Sequence, residues 1–102
     1  KLQEQMLKKI CEKWQLTITE GKVIAFLYNN PQKDTAADIT ELRMLSKGNV
    51  SQAVENLIQK GFLKRTVDEM DRRKIHLSLL SEADDITKSI SSMQKQLYQS
   101  DF

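Results

Sequence analysis

The sequence is poor in the residues on which several classes of protein depend. Its 102 residues include one cysteine, one proline, three glycines and one histidine. A single cysteine, Cys11, excludes an intramolecular disulfide framework, which fits a reducing compartment. The only histidine, His76, lies on a different element from Cys11, so the two offer no set of metal ligands. We therefore predict neither a metal site nor a cofactor.

Catalytic motifs and membrane segments are also missing. The sequence has no glycine-rich phosphate loop, no Ser/His/Asp set and no Cys/His pair. No apolar run approaches the roughly 20 residues that cross a bilayer, and no secretion signal opens the chain. We expect a cytoplasmic protein that is not an enzyme and does not bind membranes.

The composition, with 39% hydrophobic and 29% charged residues, is typical of one globular domain. A net charge of +2 is too small to coat a nucleic acid by charge alone. The segment from Lys47 to Arg65 is more basic, because it holds four cations and one acid, Glu55. Any contact with nucleic acid must therefore use a local patch.

Helical periodicity predicts two helices before Pro31. The first has an apolar stripe formed by Leu2, Met6, Leu7, Ile10, Cys11 and Trp14. Thr17 followed by Glu20 is a capping-box pattern, so a second helix begins there and ends at the proline. We expect its buried stripe to consist of Val23, Ile24, Leu27 and Tyr28.

Two further helices, joined by a short turn, follow. Thr35 caps a short third helix that carries Ile39 and Leu42 on its apolar side. Ser46 caps a fourth helix, and Gly61 offers a left-handed stop for it. The outward face of this fourth helix is small and polar, with Lys47, Asn49, Ser51, Gln52 and Asn56.

A hairpin and a last helix complete the pattern. Residues 62–67 are strand formers, residues 68–73 form a polar loop, and Ile75, Leu77 and Leu79 alternate as in a second strand. From Ser81 onwards a helical seam contains Ile86, Ile90, Met93 and Leu97.

These elements predict a mainly α fold with a small β-hairpin wing, which is a winged helix-turn-helix. We expect one domain over residues 1–102, with its core at 16–80 and dimerisation helices at 1–15 and 81–102. Two amphipathic terminal helices exceed what a small core can cover, so we predict a homodimer.

Several segments resemble the MarR family of bacterial regulators. The most specific is the run from Gly61 to Arg65, in register with Asp71-Arg72-Arg73. Leu16-Thr17 with Glu20, Ser46 with Val50-Ser51, and the segment 77–81 also match. The resemblance implies that the fourth helix lies in the major groove of DNA, that the wing enters the minor groove, and that the terminal helices join two subunits.

Transferred residue by residue, the resemblance implies a DNA-binding surface. Its expected members are Ser46, Lys47, Asn49, Ser51, Gln52, Asn56, Lys64, Arg65, Asp71, Arg72 and Arg73. Lys47, Asn49, Ser51 and Gln52 are the major-groove set. Arg73 is the minor-groove contact, Asp71 braces it, and Arg72 is a phosphate partner. Alone, the polar face of the fourth helix is typical of any solvated helix, and the adjoining wing favours DNA binding.

Two acidic residues, Asp68 and Glu69, also lie in the wing. They oppose phosphate unless they face away or pair with Arg72 or Lys74. We interpret His76 as a strand surface residue. Cys11 is interpreted as a buried small hydrophobe, with an oxidant sensor as the alternative.

The function predicted from the residues and the resemblance is a sequence-specific transcriptional regulator that binds double-stranded DNA. We expect a ligand- or signal-responsive repressor of MarR type that binds a pseudo-palindromic operator. The resemblance suggests a small-molecule effector crevice near Trp14 and Tyr28. The alternative is a winged-helix protein-interaction module that does not bind DNA.

Overall fold

A computed structural model describes the backbone of residues 2–100 and the side chains of residues 3–96. Within these limits it contains the helices α1 (Leu2–Lys13), α2 (Ile18–Asn29), α3 (Ala36–Arg43), α4 (Lys47–Gln59) and α5 (Asp84–Ser100). The strands β1 (Leu63–Val67) and β2 (Ile75–Leu79) lie between α4 and α5, and a 3-10 turn, Ser81–Ala83, precedes α5. This order confirms the predicted winged helix-turn-helix.

The helices begin at the residues that the sequence patterns indicate. The Thr17 hydroxyl accepts from the backbone N–H of Glu20, and the Glu20 carboxylate accepts from that of Thr17, both at 3.1 Å. A second capping box joins Thr35 and Asp38 at the start of α3. Ser46 caps α4. Each cap satisfies backbone donors that an isolated helix start leaves unpaired.

A left-handed residue turns the chain from α4 into the wing. Gly61 has φ of 85°, a conformation that suits glycine because it lacks Cβ. The N–H of Phe62 then donates to the Leu57 carbonyl at 3.0 Å. Strand β1 therefore starts directly at the end of α4, which places the wing beside that helix.

Helix α2 is at the centre of the core, because α1, α4, α5 and β2 all contact it. Five consecutive residues, 23–27, are buried as a result. The predicted stripe was therefore wrong at Tyr28, which is 42% exposed in the last turn. Leu42 is 50% exposed for a similar reason, since it lies in the last turn of α3, whereas Ile39 is fully buried.

The hairpin is antiparallel, with Leu63 opposite Leu79 and Val67 opposite Ile75. Its inner end is in the core, where Leu63 and Leu77 are buried. Its outer end projects from the core, because Val67 and Ile75 are 52% and 42% exposed. The alternation of apolar residues thus correctly predicts that β2 is a strand. It does not predict the exposure of Ile75.

The terminal helices α1 and α5 pack on each other. Ile86, Ile90 and Met93 of the predicted seam are buried within a single chain. The side chains of Leu2 and Leu97 lie outside the described residues. The described residues of the seam are therefore already covered by their own chain, and their burial does not require a dimer. No helix in the described range is long and apolar enough to cross a membrane.

Gly21 permits the close crossing of α1 and α2, which leads to a testable prediction. A Cβ at position 21 would overlap the Sγ of the buried Cys11. We expect Gly21→Ala to destabilise the fold by about 1–3 kcal/mol through overpacking. Urea unfolding measures the change.

The double variant Gly21→Ala/Cys11→Ala is the matched test, because it removes the overlapping sulfur. Its free energy of unfolding should exceed the value obtained by adding the two single effects. Strict additivity would show that the contact between Gly21 and Cys11 does not limit the crossing.

Candidate nucleic-acid interface

The outward face of α4 is free of the core. Val50, Ala53, Val54 and Leu57 are buried on its inner face. The expected major-groove set, Lys47, Asn49, Ser51 and Gln52, is exposed on the other side. These four side chains occupy the first half of the helix, which is the part that contacts base edges in helix-turn-helix proteins.

The wing turn is ordered by its own acidic side chains. The Asp68 carboxylate accepts from the N–H groups of Met70 at 2.9 Å and Asp71 at 2.8 Å. The Asp71 carboxylate accepts from the N–H of Arg73 at 3.1 Å and from its Nε at 3.4 Å. Asp71 therefore contacts Arg73, the residue that the resemblance expects it to brace. The Arg73 side chain is 94% exposed.

His76 connects the wing to the body of the protein. Its Nδ1 lies 2.7 Å from the Asp34 Oδ1, before α3, and its Nε2 lies 2.7 Å from the Asp68 Oδ1. The interpretation of His76 as a plain surface residue missed this bridge. Asp68 pairs with His76 and not with the arginine or lysine proposed from the sequence.

The bridge also shifts the pKa values of His76 and Asp68. Hydrogen bonding to Asp34, and then to Asp68, raises the pKa of His76 above its ordinary value of 6.5. The hydrogen bond from His76 and those from the wing backbone lower the pKa of Asp68 to about 2. Because a carboxylate only accepts, both ring nitrogens must carry a proton to satisfy both contacts. The geometry therefore suits the imidazolium form of His76.

A second polar cluster joins the start of α2 to the end of α4. Glu20 is 1% exposed, and its carboxylate accepts from Lys60 Nζ and Asn56 Nδ2, each at 2.9 Å. Burial acts to raise the pKa of Glu20, but these hydrogen bonds, the one from the Thr17 N–H and the Lys60 charge outweigh it, so the pKa lies below its ordinary value. Asn56, an expected DNA contact, thus directs its amide nitrogen inward to Glu20.

The basic patch predicted between Lys47 and Arg65 is partly neutralised. Lys60 pairs with Glu20, and Arg65 pairs with Glu55. Lys47 and Lys64 are exposed and form no ion pair with a described side chain. Two more exposed cations, Arg72 and Lys74, lie in the wing, where the exposed Arg73 pairs with Asp71. The free positive charge therefore lies at the start of α4 and along the hairpin.

A cleft of about 680 Å³ separates α4 from the wing. Ser51 and Val54 line one wall, and Arg73, Lys74 and Ile75 line the other. The site consequently has two ridges with a space between them. A second crevice of about 490 Å³, between α1, α2, α3 and α5, is lined in part by Leu7, Leu42 and Met93. Trp14 and Tyr28, near which the effector crevice was expected, line neither of these spaces.

Cys11 is 2% exposed, beneath the close crossing of α1 and α2. Burial, followed by the negative charge of Glu20, raises the pKa of its thiol. A buried and protonated thiol is a poor nucleophile. Its position agrees with the interpretation as a small hydrophobe.

Comparison with known proteins gives one family. The sequence profile of the MarR family matches residues 14–74, more than half of the chain. No curated protein matches the chain in sequence.

Several solved structures share the fold over most of this chain. The structure of S. aureus MepR in a DNA-binding conformation superimposes with a TM-score of 0.81 and 23% identity, over 95% of this chain and 72% of that one. The S. aureus MepR–DNA complex gives 0.77 and 24%, over 94% and 72%. MarR from Oenococcus oeni gives 0.77 and 22%, over 94% and 73%. At these identities the likeness shows a common fold.

The His76 bridge predicts a pH-dependent stability. A raised pKa means that the contribution of His76 is complete below pH 6.5 and is lost as the pH rises through the pKa of the folded protein. Asp68 contributes above its ordinary pKa of 3.8 and loses its contribution as the pH falls towards about 2. The bridge should therefore stabilise the fold most between the ordinary pKa of Asp68, 3.8, and that of His76, 6.5.

The variant His76→Gln tests this, because it keeps a polar side chain and removes the charge. The melting temperature of the wild type should exceed that of the variant most clearly at about pH 5, and the gap should narrow towards about pH 9. A gap that is constant across this range would show that the charge of His76 contributes nothing.

Proposed function

The chain belongs to the MarR family, and we propose on this basis that it is a transcriptional regulator that binds double-stranded DNA in a sequence-specific manner. The observation that carries the proposal is the pair of polar, cationic ridges formed by α4 and the wing. An exposed α-helix fits the major groove, which is about 12 Å wide and presents a distinct pattern of donors and acceptors for each base pair.

The two ridges have separate roles. Lys47, Asn49, Ser51 and Gln52 of α4 read base edges, and Ser46 lies at the helix start close to the phosphates. Arg73 enters the minor groove, where negative potential attracts a guanidinium without a base-specific bond. Asp71 orients Arg73. Arg72 and Lys64 contact phosphates. Arg65 also contacts a phosphate while it remains paired with Glu55.

We extend the proposal to the assembly and its regulation. The residue ranges 1–15 and 81–102 form dimerisation helices around the core at 16–80, and two copies bind the half-sites of a pseudo-palindromic operator about one helical turn apart. The protein acts as a repressor, and a small molecule or signal releases it by changing the spacing of the two α4 helices. The crevice between α1, α2, α3 and α5 supports this, since it offers a small molecule a space between the core and the terminal helices.

A protein-interaction role is the competing function. Such a surface usually has an apolar centre. The exposed face of α4 carries polar and charged side chains instead. DNA binding is therefore the function that this face supports best.

Fluorescence anisotropy with duplexes from the DNA upstream of its own gene tests the proposal. Binding should weaken steeply with salt, because lysine and arginine displace counterions from the phosphates. Arg73→Ala should weaken binding to most duplexes alike and lower the slope of log affinity against log salt by about one.

Lys33→Ala is the matched control, because it removes an exposed cation from the loop between α2 and α3, outside the two ridges and the dimerisation helices. It should leave affinity unchanged. Equal affinities for wild type and Arg73→Ala would remove Arg73 from the site. A folded protein that binds no duplex at low salt would favour the protein-interaction function.

A further inference from the structure

We infer that Glu20, which is buried and does not reach DNA, determines the base that Gln52 reads, and that this base is adenine. The inference rests on the proposed function, because it assumes that Gln52 faces the major groove. It concerns the direction of a chain of hydrogen bonds that runs from Glu20 through Asn56 to Gln52.

The chain begins in the core and ends on the outward face of α4. Asn56 Nδ2 donates to Glu20 Oε2 at 2.9 Å, and Gln52 Nε2 donates to Asn56 Oδ1 at 3.0 Å. Gln52 and Asn56 are four residues apart, so they are neighbours on one side of the helix. Asn56 is half-buried and Gln52 is exposed. Asn56 therefore links the buried carboxylate of Glu20 to Gln52 on the surface.

Chemistry sets the direction of the chain. An ionised carboxylate accepts hydrogen bonds and cannot donate them, so Asn56 must turn its NH₂ group towards Glu20. Its carbonyl oxygen then faces Gln52, which must donate. The other donors to Glu20, which are Lys60 and the Thr17 N–H, keep this carboxylate charged. Without Glu20, either amide could turn over at little cost.

The consequence for Gln52 is a defined outward pattern. One of its N–H bonds is used by Asn56, which leaves Oε1 as an acceptor and one N–H as a donor. No described residue donates to this Oε1. Adenine presents the complementary pair in the major groove, the N6 amino donor and the N7 acceptor. Guanine presents two acceptors, O6 and N7, so one of them would face the Gln52 oxygen.

The isosteric variant Glu20→Gln reverses the direction of the hydrogen bonds that join residue 20, Asn56 and Gln52. Lys60 and the Thr17 N–H both donate to Oε1, so an oxygen must remain there. The introduced NH₂ group then occupies the other position, facing Asn56. Asn56 must turn its oxygen inward and its nitrogen outward, and Gln52 must accept. Gln52 then presents only N–H outward, which suits the acceptors of guanine.

The experiment is selection of bound duplexes from a randomised DNA library, followed by anisotropy on the selected sites. Wild type should enrich adenine at one position of each half-site, with a preference over guanine of about 5- to 150-fold, the range for one bidentate contact. Gln52→Ala should lose the preference at that position only. Glu20→Gln should move it from adenine to guanine there and leave the other positions unchanged.

A merely structural role for Glu20 predicts something different, namely a general loss of affinity with the same base preference. A folded Glu20→Gln variant that still prefers adenine would overturn the inference, and so would a Gln52→Ala variant with unaltered selection. If Glu20→Gln does not fold, Asn56→Ala replaces it. This variant leaves Gln52 free to turn and should bind adenine and guanine sites almost equally, whereas an unchanged preference for adenine would overturn the inference.

Failure of the proposed function gives a distinct result. In that case the wild type binds no duplex at low salt and enriches no sequence. Selection of a clear operator without adenine at the Gln52 position leaves the regulator function intact and contradicts only the role of Glu20.

Discussion

The carboxylate of Glu20 is the interaction on which the orientation of α4 depends. It completes the cap of α2, and it holds the end of α4 through Asn56 and Lys60. A buried charge is tolerated only when such donors surround it, and removal of one partner typically costs about 3–5 kcal/mol. The apolar residues on the inner face of α4 decide which side of the helix meets the core, and the hydrogen bonds of this cluster add a directional constraint at its end.

The wing is positioned by a similar polar arrangement. Val67 and Ile75 are exposed, so apolar packing contributes little to the outer part of the hairpin. Instead, Asp68 orders the turn and His76 attaches it to Asp34. Both ridges of the site are therefore held by charged hydrogen bonds to the body of the protein. Such contacts specify direction, which is what base and groove recognition require.

Local signals in the sequence were sufficient to predict most of the fold. The caps at Thr17, Thr35 and Ser46 and the left-handed Gly61 depend on residues within one turn of one another, so they can be read directly. The burial of Tyr28 was predicted wrongly, because it depends on which neighbours cover the last turn of a helix. Periodicity within one helix does not contain that information.

The polar clusters could not be predicted for a related reason. Asp34 and His76 are 42 residues apart, and Glu20 and Asn56 are 36 apart. In the sequence, the capping box of α2 already accounts for a glutamate at position 20. Nothing in the sequence therefore indicated that Glu20 also contacts Asn56. Asn56, an expected DNA contact, is half-buried, and its amide group contacts both Glu20 and Gln52.

The central claim is that α4 and the wing form a single DNA-binding surface on a preformed scaffold. Hydrogen–deuterium exchange of the intact protein with and without its preferred duplex tests this most directly. We expect slower exchange in the first half of α4 and in the wing turn at 68–74, with α5 unchanged over its described residues. Protection confined to α1 and α5, with α4 and the wing unaffected, would contradict the account.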